Sequence, residues 1–345
     1  MSTASMKAVG LTRYLPIDDP DALQDLSVPM PVPEPRDVLV RVEAVGVNPV
    51  DTKVRAPKDA PVQPSPRILG WDVAGVVEAV GAEVTMFRPG DEVYYAGDIT
   101  RPGGNSRYAV ADERIVALKP RTLDFAQAAA LPLTALTAWE SLFDRLQLDP
   151  EGGNAGQSLL IIGGGGGVGS LGIQFARRAG LTVITTASRE ETSAWVQELG
   201  ADHVVDHRRP LRPQVEALGF AHVDWIADFA NTDPYWDQMV DLVRPQGRIV
   251  TIVDNTGPLA TAEAKAKSVT HAWEMMFTRA RFRTPDMIEQ HRILERVAAW
   301  IDDGSLRQTL KTRLGPIDAA NLREAHRRLE SGTAIGKIVV AGWKD

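Results

Sequence analysis

Leu160-Ile-Ile-Gly-Gly-Gly-Gly-Gly-Val-Gly169 is the stretch that most constrains the fold of this chain. A short apolar run enters a dense glycine turn, and Ser170 to Ala179 continues with helical apolar spacing until Gly180. Strand, tight turn and helix in that order open a nucleotide-binding βαβ unit. Gly164, Gly166 and Gly169 supply the G-x-G-x-x-G spacing. In that pattern the first glycine permits the turn, the second lets the backbone approach a pyrophosphate, and the third lets helix pack close to strand. Amides of Gly167, Val168 and Gly169 at the helix start would hold the phosphates. A glycine-rich surface loop without ligand is the alternative; the flanking strand and helix patterns weigh against it.

The end of the second strand, Leu181 to Ala187, decides between the nicotinamide cofactors. An acid there would hold the ribose hydroxyls of NAD and repel a 2′-phosphate. Ser188 and Arg189 occupy the place instead. A hydroxyl can donate to phosphate oxygen and a guanidinium can pair with its charge, which favours NADP(H). Glu190 and Glu191 follow at once, and they suit the first turn of the next helix. The alternation then repeats, with strands at Val204-Val205, Val223 to Phe229 and Gly247 to Val253. Such alternation predicts a parallel sheet with ligand at its carboxyl ends, making Phe229, Ala230, Asn231 and Val253 cofactor-pocket candidates by position.

Residues 1 to about 130 read differently. Met6–Leu11 suggests an edge strand, and residues 38–46 alternate like a half-buried strand. Short strands between Gly/Pro turns suggest a small barrel-like domain. In Gly46-Val-Asn-Pro-Val-Asp51 a strand runs into a proline-fixed turn. Asn48 could orient a substrate carbonyl and Asp51 could join a proton relay, yet both types also cap turns, the simpler account of Asp51. Trp71 could wall an apolar pocket or fill ordinary core. Thr137, in a helical stretch interrupted by Pro132, is a candidate for the nicotinamide face, with helix packing as the alternative. Ala334–Ala341 gives a terminal strand placed to return to the first domain. The expected division is therefore residues 1–130 and 296–345 in a β-rich domain, with 131–295 forming the nucleotide-binding domain.

Composition narrows the function. The 345 residues allow two cores, and 44% apolar content fits a globular chain. A formal charge of −7 without a basic arm argues against a nucleic-acid partner. No apolar run is long enough for a bilayer, and Met1 to Lys7 lacks a signal-peptide core, so the expected location is the cytoplasm. Cysteine is absent, which excludes disulfides, thiolate catalysis and Cys-ligated zinc. The six histidines form no His-Glu-x-x-His pattern.

Taken together, Gly46–Asp51, Gly70-Trp-Asp-Val-Ala-Gly-Val-Val77, Leu131-Pro-Leu-Thr-Ala-Leu-Thr-Ala-Trp139, Gly163–Gly169 and Gly336-Lys-Ile-Val339 resemble the zinc-independent quinone-oxidoreductase branch of the medium-chain dehydrogenase/reductase superfamily. The chain could equally carry a zinc-type alcohol dehydrogenase-like label by descent. The resemblance implies an α/β architecture: a discontinuous GroES-like barrel domain, a Rossmann domain with a doubly wound parallel sheet, a cleft between them and a homodimer or homotetramer. It also implies that Asn48 stands where the zinc enzymes have a cysteine, and that Trp71 and Asp72 stand where they have histidine and glutamate. Ser188 resembles the family's phosphate-binding serine, while Thr192 occupies a place often held by a basic residue. The expected activity is NADPH-dependent, metal-independent hydride transfer to a small-molecule quinone, enone or activated carbonyl. Asn48 would orient the electrophilic oxygen and Thr137 the nicotinamide. A short-chain dehydrogenase is a poor rival, since no Tyr-x-x-x-Lys is present. A methyltransferase would want an acid at the end of strand 2. The remaining alternative is a catalytically weak NADPH-binding sensor or structural protein.

Overall fold

The computed structural model describes residues 4–344; residues 1–3 of the polar N-terminal stretch lie outside the described residues. The chain opens with strands β1 (Ser5–Leu11), β2 (Gln24–Pro29) and β3 (Asp37–Val47), then helix α1 (Pro49–Arg55). Strands β4 (Arg67–Ile68), β5 (Val73–Val80), β6 (Glu92–Tyr95), β7 (Tyr108–Asp112) and β8 (Val116–Leu118) follow, then α2 (Phe125–Ala128) and α3 (Pro132–Trp139). The alternating part comprises β9 (Ser158–Ile162), α4 (Gly167–Arg178), β10 (Thr182–Thr186), α5 (Glu190–Glu198), β11 (His203–Val205), α6 (Leu211–Ala217), β12 (Val223–Asp228), α7 (Thr232–Leu242), β13 (Val243–Thr251), α8 (Ala262–Ala266) and β14 (Thr270–Trp273). The chain closes with α9 (Thr278–Phe282), α10 (Glu289–Asp302), β15 (Leu310–Leu314), α11 (Ala319–Glu330) and β16 (Lys337–Ala341).

Two compact units result, one of residues 1–133 with 277–345 and one of 134–276. The return to the first unit thus falls at Phe277, earlier than the expected residue 296. The reason is packing: Phe277 stacks edge-on against Trp71 with ring centroids 6.0 Å apart, and the Tyr94 hydroxyl donates to the Leu294 carbonyl at 2.6 Å. The helices that read as the tail of the nucleotide-binding domain bury their apolar side on the β unit instead.

In the β unit, β3 is the central strand. It pairs antiparallel with β5, β7 and β16. Residues 38–47 are consequently buried on both faces except Arg41 and Glu43, where a half-buried alternation had been expected. β1 is likewise no edge strand, because β2 and β4 flank it. The terminal strand returns as expected, with Ile338 opposite Val47 and Val339 opposite Gly46. This pairing sets the first residue of β16 beside the last residues of β3.

In the other unit, six parallel strands run in the order β11-β10-β9-β12-β13-β14. Numbered within the unit that order is 3-2-1-4-5-6, the doubly wound arrangement whose direction reverses between the first and fourth strands. Leu160, Ile162, Ile184, Ile226 and Ile249 form a buried apolar layer beneath the helices. Strands buried on both faces read as continuous apolar runs, as Ser158-Leu-Leu-Ile-Ile162 does.

Candidate functional site

Register assembles the nucleotide site. Ile162 lies opposite Asp228, Asp228 opposite Thr251, and Ile161 opposite Thr185. Parallel strands in that alignment end along one edge, so the glycine turn after β9, Ser188-Arg189 after β10, Phe229–Asn231 after β12 and Val253 after β13 form one row. The row straddles the reversal between β9 and β12, where open α/β sheets bind ligands.

The glycines divide their work differently from the expected scheme. Gly163, not Gly164, takes the left-handed backbone, with φ +87°, and its N–H donates to Thr186 Oγ1 at 2.9 Å. Gly164 must lack a side chain because a Cβ would meet Thr185 Oγ1 at 2.0 Å. At Gly169 a Cβ would lie 2.2 Å from the Gly163 carbonyl oxygen, so this glycine lets α4 press onto the turn. Gly166 is exposed, and a Cβ there would meet only the Gly163 oxygen, at 3.7 Å. Space above that residue is what a pyrophosphate needs. Gly167 and Val168 begin α4, and the first-turn amides of a helix find no carbonyl within it. The cradle therefore fits a dinucleotide.

Ser188 is half-buried, and Arg189 is exposed at the N-cap of α5. Glu190 and Glu191 occupy the first turn of that helix. Phe229 lies against Gly172 of α4, where a Cβ would meet its ring at 2.9 Å. Asn231 caps α7, and the Val253 carbonyl accepts from the Thr232 hydroxyl. Thr137 is buried on α3 of the same unit.

Two residues of this unit have contacts that the sequence did not reveal. Thr192 packs onto the turn, its methyl 2.3 Å from where a Gly165 Cβ would stand. Asp228 ends β12 fully buried, and its Oδ1 accepts from the backbone N–H of Ala230 at 2.9 Å and Asn231 at 3.3 Å. Burial pushes its pKa up to about 6, against those two amides. Asp228 thereby shapes the loop that carries Asn231. An acid closing a strand just before Asn-Thr was the available signal.

The β unit gathers a second constellation. Asn48, Asp51, Asp72 and Lys337 are all buried, Asp51 on α1, Asp72 in the loop before β5 and Lys337 on β16. Asp51 Oδ2 accepts from the Asn48 N–H at 2.8 Å and its Oδ1 from the Gly70 N–H at 2.9 Å. Both carboxylate oxygens are thus engaged in capping α1 and tying down the next loop, which favours the capping account over a relay. Desolvation raises the Asp51 pKa to about 7 despite those amides and Lys337. Asp72 Oδ1 accepts from the Leu133 N–H at 2.7 Å; its Oδ2 accepts from Asn48 Nδ2 and from Lys337 Nζ, each at 2.8 Å. Desolvation raises the Asp72 pKa as well, opposed chiefly by the Lys337 charge. Asn48 Oδ1 accepts from Lys337 Nζ at 2.5 Å, while its Nδ2 also faces the Gly46 carbonyl at 3.5 Å. Trp71 is buried beside this network, and its indole N–H has no acceptor among the described residues. It is core in this structure, edge-on to Phe277.

Residues 34–121 match the family model described as alcohol dehydrogenase GroES-like domain, and residues 199–340 match the one described as zinc-binding dehydrogenase. A zinc-type alcohol dehydrogenase-like protein of Staphylococcus aureus is 42% identical over 97% of this chain and 99% of its own length. A 2-methylene-furan-3-one reductase of Solanum lycopersicum is 30% identical over 98% of this chain and 79% of its own. A quinone oxidoreductase of Lama guanicoe is 34% identical over 77% of this chain and 80% of its own. Among solved structures, one from Rhizobium etli, provisionally named a zinc-dependent alcohol dehydrogenase, superposes with a TM-score of 0.95 at 50% identity over the whole of both chains. The fold and the site define a medium-chain dehydrogenase/reductase. More narrowly, the chain belongs to the quinone-oxidoreductase-like branch of that superfamily, and its general class is oxidoreductase.

Zinc, which several of these names imply, does not fit the residues present. Zinc sites in proteins use thiolate, imidazole and carboxylate donors. The positions that resemble such ligands hold Asn48, Trp71 and Asp72, and an indole N–H is a donor only. Among the described residues no group of three or more His, Cys, Asp or Glu is placed to hold a metal, and no helix is long and apolar enough to cross a membrane.

Proposed function

We propose that this protein is an NADPH-dependent, metal-independent reductase of quinones, activated enones or related carbonyl compounds. The observation that carries the reading is the end of β10. Thr186-Ala187-Ser188-Arg189 stands in the row with the glycine turn, where an NAD enzyme would present a carboxylate. Ser188 can donate to a 2′-phosphate and Arg189 can neutralise it. NADP(H), when bound, supplies the hydride. The chain's own residues hold and orient. First-turn amides of α4 would meet the pyrophosphate, Phe229, Asn231 and Val253 would border the dinucleotide, and Thr137 would steady the nicotinamide.

Asn48 orients the substrate oxygen in this reading. Its Oδ1 is taken by Lys337 and one Nδ2 hydrogen by Asp72, which leaves the second Nδ2 hydrogen, facing Gly46 O at 3.5 Å, as the donor. A hydrogen bond of that length is weak and is readily exchanged for a better acceptor. Both Asp51 oxygens already accept from backbone N–H groups, so no side chain of the network stands out as the proton donor, and water is the proton source of this reading. Assembly as a homodimer or homotetramer in the cytoplasm completes the proposal.

The test is a screen of NADPH against NADH oxidation with quinones, enones and aldehydes. Turnover with NADPH and a quinone or enone is the expected result. Tight NADPH binding without turnover across the panel would favour the sensor reading, for which the engagement of Asp51 and most of Asn48 within the fold is the supporting observation.

A further inference from the structure

Lys337 starts β16, and its side chain is 3% exposed. Its Nζ lies 3.1 Å from the Val47 carbonyl, 2.5 Å from Asn48 Oδ1 and 2.8 Å from Asp72 Oδ2. An ammonium has three protons and no acceptor, so each proton has one oxygen. A buried amine surrounded by a carboxylate, an amide oxygen and a peptide carbonyl is a small coordination sphere with nitrogen at its centre.

We infer that the Lys337 ammonium is the resident cation of this cluster, standing where a metal ion would stand among Val47 O, Asn48 Oδ1 and Asp72 Oδ2 and closing the cluster to zinc. Three observations carry this. The donor set is oxygen only, which suits a hard cation rather than zinc. The ammonium already lies within hydrogen-bond distance of all three of those oxygens, and a second positive charge among them would be repelled at close range in a buried site. The Asp72 carboxylate, wholly buried, has Lys337 as its cationic partner at 2.8 Å. Removing one member of such a pair strands the other charge in the core.

The cation also sets the Asn48 side chain. An amide can turn over, exchanging oxygen for nitrogen. With an ammonium on one side and a carboxylate on the other, only the orientation with Oδ1 toward Lys337 satisfies both. Lys337 is therefore a positioning residue for Asn48, acting through the amide rather than on a ligand.

The experiment compares the wild type with Lys337→Ala, Lys337→Arg and the charge-neutral double variant Lys337→Met/Asp72→Asn. Each is incubated with ZnCl2 or MnCl2, desalted and assayed for bound metal, with melting temperature followed alongside. Wild type and Lys337→Arg should retain essentially no metal. Lys337→Ala should take up about one divalent ion per chain and melt higher in its presence, since an ion bound only by the folded state stabilises it. The double variant should take up none. A wild type that keeps about one zinc per chain, lost on Asp72→Asn, would overturn the inference, as would a folded Lys337→Ala that binds no divalent ion at any concentration. Should Lys337→Ala fail to fold, nitrogen-detected NMR of the wild type decides. A slowly exchanging Lys337 ammonium signal at neutral pH is expected, and a neutral amine would contradict the assignment.

Discussion

The two units carry their chemistry in opposite ways. In the nucleotide-binding unit the site is built from backbone: glycines that lack a Cβ, helix-start amides and strand ends that parallel register brings into a row. In the β unit the constellation is built from side chains far apart in sequence, with Lys337 separated from Asn48 by 289 residues and from Asp72 by 265. A backbone site writes itself into a local string. A side-chain site is assembled only when β16 pairs with β3, and the string at each end is silent about its partner.

That contrast predicts where the molecule is vulnerable. The largest effect should come from Asp72→Ala, which leaves the Lys337 ammonium buried without its carboxylate. Loss of one partner from a buried pair costs about 3–5 kcal/mol, read as a fall in urea unfolding free energy. The neutral double Lys337→Met/Asp72→Asn should recover most of it, and a double as unstable as the single would break the comparison.

In the other unit, Gly169→Val should disturb binding through backbone alone, because its side chain would have to occupy the place of the Gly163 carbonyl. NADPH affinity by fluorescence should fall on the order of 100-fold, about 2.7 kcal/mol. Gly166→Ala should fold normally, since its Cβ meets nothing closer than 3.7 Å, yet bind NADPH more weakly. Unchanged NADPH binding by both variants would remove the turn from the site.

Buried ionisable side chains also give the β unit its own acid sensitivity. His326 on α11 is fully buried, neither ring nitrogen has a partner among the described residues, and burial lowers its pKa to about 3, with the nearby Arg55 adding to the effect. A histidine whose folded pKa is depressed contributes stability that is complete above its unfolded value of about 6.5 and is lost as pH falls from there toward 3. Asp51, raised to about 7, has the opposite sign: the stability it gives is full below its unfolded pKa and is lost as pH rises toward 7. His326→Gln should therefore flatten the loss below pH 6.5, sparing about 2 kcal/mol at pH 5 if the glutamine is tolerated sterically. Unfolding curves from pH 5 to 8 measure this, and an unchanged slope would reject it.

The smallest effect is the most selective. Arg189→Ala should weaken NADPH about tenfold, roughly 1.4 kcal/mol, while leaving NADH binding unaltered. Equal losses for both cofactors would deny Arg189 the 2′-phosphate.

What the string revealed follows the same division. The strand-turn-helix at Leu160–Ala179, the strand-helix alternation through Val253 and the returning terminal strand were legible because each rests on local periodicity or on punctuation by glycine; the sixth strand of that sheet, β14, was not. The left-handed residue at Gly163 was misplaced by one, since five consecutive glycines offer several registers. β1 and β3 read as more exposed than they are, because neither the flanking β2 and β4 nor the three partners of β3 could be seen from alternation alone. Phe277 to Glu295 read as part of the wrong unit, as an amphipathic helix does not state which core its apolar face joins. Lys337 was visible only as one letter of Gly-Lys-Ile-Val; nothing local marks a lysine as buried.

Steady-state NADPH oxidation with a quinone or enone acceptor, before and after exhaustive chelation, tests the central claim most directly. The account predicts the same rate in both states and a clear preference for NADPH over NADH. Activity abolished by chelation and restored only by zinc would contradict it.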